Sequence, residues 1–262
     1  MNAFADLHDG PLPLLLPNAW DVASALAFVD AGYPAIGTTS LGVSASLGVP
    51  DGAHGTEQAT LALARSLARL PALITMDCED GHSPDPAGAA AYVAELGTLG
   101  IAGVNLEDSR DGHLVAPGDF AATIAAVKAA APDVFVNARV DTYWFHEEES
   151  VDETLARATA YVRAGADGIF VPGLTDPGSI QAITGALSAP VNLLPVAGKS
   201  LADLAELGVR RVSTGSLPYR ATLTAAVGAA AAVRDGSALP DAVDYHDLQA
   251  QLAGFSGEPS DD

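Results

Sequence analysis

The chain has one cysteine, Cys78, two methionines and two lysines among 262 residues. A lone cysteine excludes an intrachain disulfide framework. Lysine and arginine together number 12 against 33 acidic residues, giving a formal charge of −21. Nucleic acid is held by neutralising its phosphates with Lys and Arg, so that class of partner is excluded. The lysines, Lys128 and Lys199, and the arginines form no basic cluster. An anionic substrate therefore needs a local exception to the global field, an arginine or a metal ion. No apolar run reaches the length of a membrane span without polar breaks, so no membrane partner is expected. The opening MNAFADLHDG lacks a basic segment and a long apolar core, which argues against a signal peptide. The default expectation is a soluble cytoplasmic protein.

What is present is apolar and periodic. Hydrophobic residues make up 49% of the chain and charged ones 17%, enough for one large buried core. Short apolar runs alternate with Ala-rich helical stretches about eight times. The strand candidates are 13–17, 35–40, 72–77, 103–108, 134–139, 168–173, 190–195 and 211–216. Helical spacing fills the intervals at 21–31, 56–70, 86–99, 117–131, 151–164, 177–187, 201–207 and 217–233. Helix starts are marked by Ser83-Pro84-Asp85-Pro86 and Thr175-Asp176-Pro177, and helix stops by Gly32, Gly100, Gly165 and Gly208. Strict alternation implies parallel strands, and eight units imply a closed (β/α)8 barrel, the TIM-barrel class of α/β fold. An open doubly wound sheet is the runner-up, but no G-x-G-x-x-G follows the first strand. Residues 1–240 are expected to form the barrel. Within 241–262, an extra C-terminal helix is expected over 241–252, then a polar, acidic, disordered tail from Gly254.

In such a barrel the chemistry sits at the C-terminal strand ends. The stretch ALITMDCED carries Asp77 and Glu79, which strand alternation puts on one face, with Cys78 turned away as a core thiol. Two acids at a strand end suggest a hard divalent cation. A Gly/Ser-rich loop follows Thr38-Thr39-Ser40 and brings Asp51. Alternation places Asn105 with Glu107, and Asn137 with Arg139 and Asp141. Asn192 comes from the seventh strand. Buried acids are costly unless paired or metal-bound, and one arginine cannot neutralise Asp51, Asp77, Glu79 and Glu107 together. His54, His82 and His113 fall in loops at the same end, where any could carry a proton near neutral pH. His8, His146 and His246 read as surface residues.

Seven motifs in order, LPNAWDVASA, TTSLGVSASLGVPDG, MDCEDG, GVNLEDS, VNARVD, GADGIFVPGLTD and PVNLLP, resemble the isocitrate lyase/phosphoenolpyruvate mutase superfamily. The resemblance runs from about Leu16 to Arg220. It implies an α/β barrel that binds Mg²⁺ (or Mn²⁺) and a small 2-oxo or 2-hydroxy carboxylic acid, making or breaking a bond beside an enolate-forming carbonyl. By the same resemblance Asp77 is the metal acid, with Glu79 and Glu107 acting beside it, often through water. Asp51 matches a further acid around the metal, and Arg139 pairs with substrate. Backbone N–H groups of Ser40, Leu41 and Gly42 match the turn that holds the substrate carboxylate. Trp20 and Asn192 match residues that wall the pocket. A homo-oligomer is also implied, a tetramer or a dimer formed by helix swapping.

The chain departs from the family between the fourth strand and the next helix. Lyases of this family carry a basic Cys-Gly-His segment there, where this chain has Ser109-Arg110-Asp111-Gly112-His113. Asp111 then stands in the Cys position, and Asp111 and His113 are the candidate acid/base groups. The mutases and hydrolases carry Lys and Asn in that loop, and neither occurs between Asp108 and Lys128. The leading expectation is a Mg²⁺-dependent lyase or decarboxylase. A phosphonopyruvate-processing enzyme and a barrel that binds without turnover remain open. A Schiff-base aldolase is disfavoured because neither lysine lies within a strand.

Overall fold

The structure, a computed structural model, describes residues 3–53 and 55–257. Pro17 interrupts the first strand of the sheet. Proline has no N–H to give a ladder, and the first strand is split there into β1 (Leu14–Leu16) and β2 (Asn18–Ala19). The remaining strands are β3 (Ala35–Thr38), β4 (Leu73–Asp77), β5 (Gly103–Glu107), β6 (Phe135–Arg139), β7 (Gly168–Phe170), β8 (Val191–Leu193) and β9 (Arg211–Ser213). Their order is β1-β9-β8-β7-β6-β5-β4-β3-β2, and each neighbouring pair is parallel. One broken strand therefore touches both ends of the sheet. On one side Thr214 N donates to Leu16 O at 3.0 Å, and on the other Gly37 N donates to Pro17 O at 2.8 Å. The fold is the α/β barrel of the TIM class, and the open-sheet alternative is set aside.

The two faces of the strands differ sharply in chemistry. Outward residues such as Ile74, Met76, Val104, Leu106, Val136 and Ile169 are buried against the helices and form the main core, which also takes Cys78. Inward residues are largely polar: Thr75, Asn105, Asn137, Asn192, Arg211 and Ser213 are all buried. They bond to one another, Asn137 Nδ2 donating to Asn105 Oδ1 at 2.9 Å and Arg211 Nη2 to the same oxygen at 3.3 Å. Below this layer a second apolar cluster of Phe4, Leu14, Leu16, Ala35 and Phe135 closes the barrel floor.

The helices begin and end as the sequence indicates. Asp85 and Asp176 cap their helices by accepting from Ala87 N and Ser179 N, each beside a proline in the first turn. Gly32, Gly100, Gly165 and Gly208 all stop at positive φ. Three stretches differ from expectation. Ser40–Ser46 is a helix rather than loop, and Ser109–Arg110 pairs with His113–Leu114 in a hairpin. The C-terminal helix runs Tyr245–Ser256 and lies against its own chain, with Arg69 stacked 4.4 Å from the Phe255 ring and Gln251 bonded to Asp30. The tail from Glu258 onward lies outside the described residues.

His8 corrects a reading of the sequence. It is 4% exposed, not on the surface, because the N-terminal turns fold under the barrel and stack its ring on Phe135 at 4.9 Å. Burial, together with the nearby Arg211 charge, lowers its pKa to about 4. The folded state thus resists a proton that the unfolded chain accepts near pH 6.5. Stability is full above pH 6.5 and falls as the pH drops toward 4, by about 3 kcal/mol over the window. Urea denaturation at pH 7.5 and pH 5 is expected to reveal this loss in the native chain and a much smaller one in His8→Phe.

Candidate active site

The carboxylates gather at the C-terminal mouth of the barrel, but not all by strand alternation. Asp77 ends β4; its Oδ2 accepts from Ser40 N at 3.1 Å, and its own N donates to Thr38 Oγ1 at 2.9 Å. Glu79 lies past the strand at φ 50°, in a left-handed turn closed by Gly81 N donating to Cys78 O. That turn, rather than the period of two, brings Glu79 beside Asp77. The Glu79 carboxylate is buried and accepts from Thr56 Oγ1 at 2.6 Å.

On the other side of the mouth, Glu107 and Arg139 sit in register on β5 and β6 and pair at 2.8 Å. Arg139 Nε also donates to Asp141 Oδ1 at 2.6 Å, and Ser109 Oγ donates to the other oxygen of Asp141. Beneath them Asp108 turns outward and is fully buried. It accepts from Tyr161 Oη at 2.6 Å, Asp141 N at 2.9 Å and Arg157 Nη1 at 3.2 Å. This outward anchor ties the ends of β5 and β6 to helix Val151–Arg163.

The electrostatics follow from the crowding. Burial raises the pKa of Asp51, and Asp77 adds to it against bonds from Ser40 and Gly52 and the Arg139 charge. Glu79 is raised by burial, opposed by Thr56, and raised further by Asp77, Asp51 and Asp80. Glu107 is raised by burial, and by Asp141, Asp77 and Glu79, despite its pairing with Arg139. Burial opposes the Arg139 charge, but Glu107, Asp141 and Asp77 together hold it firmly protonated.

Two cavities adjoin at this cluster. One, of about 350 Å³, is walled by Asn18, Thr38, Thr39, Ser40, Leu41, Asp51, Asp77, Asn105, Arg139, Trp144, Phe170, Ser213, Ser216 and Arg220, among others. The other, of about 370 Å³, shares Ser40, Asp51, Arg139 and Trp144 and adds Glu79, Glu107, Asp111 and Gly112. Seven sequence candidates, Ser40, Leu41, Asp51, Asp77, Glu79, Glu107 and Arg139, thus meet at one place, with Asp111 on the hairpin tip above them. Three stand a layer behind. Gly42 is packed so closely that a Cβ there would lie 2.6 Å from Trp20 Cβ, and Trp20 itself meets Tyr219 edge to face. Asn192 is buried behind Ser213, to which it hydrogen-bonds. His113 does not reach either cavity: it is 81% exposed and faces Glu147. His82 packs edge-on against Tyr92, and His54 lies outside the described residues. Lys128 is tied to Asp167 and to the Pro132 and Val134 carbonyls.

Sequence reasoning left out Trp144, Phe170, Ser213 and Arg220. The aromatic pair flanks the Arg139 guanidinium at 5.5 and 5.9 Å, a cation–π arrangement that spacing alone does not encode. Ser213 was legible as the inward partner of Arg211 in the RVS strand.

The donor set narrows the metal that could be held. No group of three or more His, Cys, Asp or Glu side chains converges on one point among the described residues, so a closed protein cage is absent. All the acids offer hard oxygen ligands, and Mg²⁺ keeps several waters while taking one or two carboxylates directly. Asp77 with Asp51, Glu79 and Glu107 around it fits such an ion.

Comparison with known proteins gives this geometry its relatives. The family described as phosphoenolpyruvate phosphomutase matches residues 4–234. An uncharacterized protein of Mycobacterium tuberculosis is 52% identical, covering 98% of this chain and 99% of that one. The 2-methylisocitrate lyase of Bacillus subtilis is 33% identical over 65% of this chain and 59% of its own length. Among solved structures, a phosphonopyruvate hydrolase in complex with oxalate and Mg²⁺ superimposes with a TM-score of 0.83 at 26% identity. That match covers 96% of this chain and 95% of the other.

The buried anchor yields a stability test. Removing one member of a buried charged pair leaves the other unpaired, at a cost of about 3–5 kcal/mol. Arg157→Met should lower stability by that amount in denaturant titration, because Asp108 is left in the core. Tyr161→Phe removes one hydrogen bond to a charged group and should cost about 1.5–3 kcal/mol.

Proposed function

This chain belongs to the phosphoenolpyruvate phosphomutase family, within the isocitrate lyase/phosphoenolpyruvate mutase superfamily. From that premise we propose that it is a Mg²⁺-dependent lyase or decarboxylase acting on a small 2-oxo or 2-hydroxy carboxylic acid. The observation that carries the reading is the excess of carboxylates at the mouth, Asp51, Asp77, Glu79, Glu107 and Asp141, around the single guanidinium of Arg139. Asp77 would hold the ion directly, and Asp51, Glu79 and Glu107 would hold its waters. Bound there, Mg²⁺ (or Mn²⁺) supplies Lewis-acid stabilisation of charge growing on a carbonyl oxygen.

The protein's own groups divide the remaining work. Glu107 and Asp141 take Nη1 and Nε of Arg139, leaving Nη2 to meet a substrate carboxylate where the two cavities join. Ser40 and Leu41 form the wall opposite, and Trp144 and Phe170 exclude water from one side. When the C–C bond breaks, one carbon leaves as CO₂ from an oxo acid or, from a hydroxy acid, as a new carbonyl whose hydroxyl proton passes to water. The electron pair stays on the other carbon, beside the original carbonyl, and spreads onto oxygen as an enolate. Asp111, on the hairpin tip, is the group assigned to deliver the proton that this carbon then takes. His113, turned toward Glu147, is not given that role.

We also propose a homo-oligomer in which helix Leu217–Asp235 is covered by a neighbour, in a tetramer or a swapped dimer. It buries no residue within the single chain and leaves Leu223, Val227 and Val233 more than half exposed. No helix of the described residues is long and apolar enough to cross a membrane.

A turnover screen with Mg²⁺ tests the reading, using oxaloacetate, 2-methylisocitrate, isocitrate, dimethylmalate and phosphonopyruvate. Release of an oxo acid, lost with EDTA and in Asp77→Ala, is the expected result. Product formed from phosphonopyruvate alone would replace the lyase with a P–C bond enzyme. Glu79→Gln should weaken Mg²⁺ affinity roughly 10- to 100-fold, as removal of outer ligands does. Light scattering should give a mass above one chain, falling toward one chain in Val227→Glu.

A further inference from the structure

Among the largest fully buried side chains is a cation without an anion. Arg211, on β9, points into the barrel and makes no ion pair among the described residues. Its Nε donates to Ser213 Oγ at 3.2 Å and its Nη2 to Asn105 Oδ1 at 3.3 Å, while Nη1 has no partner there. Burial pulls its pKa down only to about 9, with Asp77 the charge that opposes the fall, so the guanidinium stays protonated at neutral pH. An ion held in this way is a cost to the fold. Neither partner depends on it, since Asn105 Oδ1 also accepts from Asn137 and Ser213 Oγ also accepts from Asn192. An apolar side chain would suit a purely structural position better, as in the cluster of Phe4, Leu14 and Leu16 below it.

The two bonded partners give this charge a place to act. Asn105 and Ser213 both wall the cavity of about 350 Å³, and Asn105 stands in register with Asp77 on the neighbouring strand. Arg139 at the rim is already matched by Glu107 and Asp141. The inner end of the cavity therefore lies over a positive charge that no carboxylate of the described residues neutralises, while the rim carries an excess of negative charge. We infer that Arg211 is a positioning residue for an anionic ligand: its charge, passed through the amide of Asn105, draws the ligand's negative end to the inner end of the cavity. This rests on the reading of the cavity as an oxo-acid site. Hydrogen bonds in series polarise one another, so a guanidinium donating to an amide oxygen makes that amide a stronger donor. The buried setting also thins the water that would screen the charge. A bound anion then supplies the counter-charge that the fold leaves out.

The test is calorimetric binding of Mg²⁺ alone, and then of oxalate at saturating Mg²⁺, to the native chain and Arg211→Met. The substitution should weaken oxalate roughly tenfold, the scale of a unit charge acting across several ångströms in a poorly screened site. Mg²⁺ should bind as tightly as in the native chain or more tightly, because Arg211 repels a cation. Oxamate, with the shape of oxalate and one charge fewer, should lose less than oxalate does. Arg211→Gln keeps a donor without the charge and should follow Arg211→Met. Thermal unfolding should place the variants at or above the native chain, since an unpaired buried charge has been removed. Oxalate binding indifferent to both substitutions would overturn the assignment. So would a joint loss of Mg²⁺ and oxalate, an equal loss of oxalate and oxamate, or failure of both variants to fold, each of which makes Arg211 a structural member. Failure of the native protein to bind oxalate with Mg²⁺ would overturn the oxo-acid reading with it.

Discussion

Repulsion among carboxylates at the barrel mouth is the constraint on which the rest of the site depends. Burial, and after it the charge of Asp77, raises the pKa of Asp51, Glu79 and Glu107, and Asp141 adds to the load on Glu107. Charges this close interact strongly once water is thinned out. Each acid is therefore met by a donor from a different element. Ser40 N serves Asp77, Thr56 serves Glu79, Arg139 serves Glu107, and Ser109 serves Asp141. These donors come from separate elements of the chain, so the charge pattern is tolerable only when the ring of strands has closed.

Closure runs through the split first strand, with Leu14–Leu16 paired to β9 and Asn18–Ala19 to β3 on either side of Pro17. Asn18 then bridges back, its side chain donating to Thr38 O and accepting from Gly215 N. The interior so enclosed is polar above and apolar below, and Arg211 marks the boundary. It is 1% exposed, has no carboxylate partner among the described residues, and lies 5.6 Å above the Phe4 ring with Nη1 unbonded there. Burial lowers its pKa to about 9. Its useful contacts are upward, to Asn105 and Ser213, which both wall the cavity. Arg211 and Asn137 both donate to Asn105 Oδ1, which fixes the amide at the cavity wall.

The barrel was legible because it is written in local signals. Each apolar run followed by a capped amphipathic stretch needs only its own residues to be recognised. The inward set Asn105, Glu107, Asn137 and Arg139 followed from a period of two, since those strands are regular to their ends. Legibility failed where geometry comes from a turn or a distant contact. Glu79 reaches Asp77 through a left-handed residue that no pattern requires of glutamate. His8 is buried by elements more than a hundred residues away, and Phe135 gives no sign of it. Trp20 and Gly42 looked like pocket walls because they flank the right motifs, yet they fill each other's space. Arg220 lies on a helix whose sequence reads as ordinary amphipathic filler, and only the closed ring brings it to the cavity wall.

The segment after β5 carries the remaining logic. Asp111-Gly112 is a two-residue turn with both φ angles positive, 53° and 81°, the geometry that Asp-Gly favours between paired strands. That signal was present in the sequence, and it reads as a tight hairpin rather than a gate. The hairpin is pinned on three sides: Arg110 to Asp80 and the Ser83 carbonyl, Leu114 N to Glu147, and Ser109 to Asp141. Its two paired residues also point the flanking side chains apart, which is why Asp111 overlooks the acid cluster while His113 turns to Glu147. The same mouth is walled on its other side by Trp144 and Phe170, whose rings lie 5.5 and 5.9 Å from the Arg139 guanidinium.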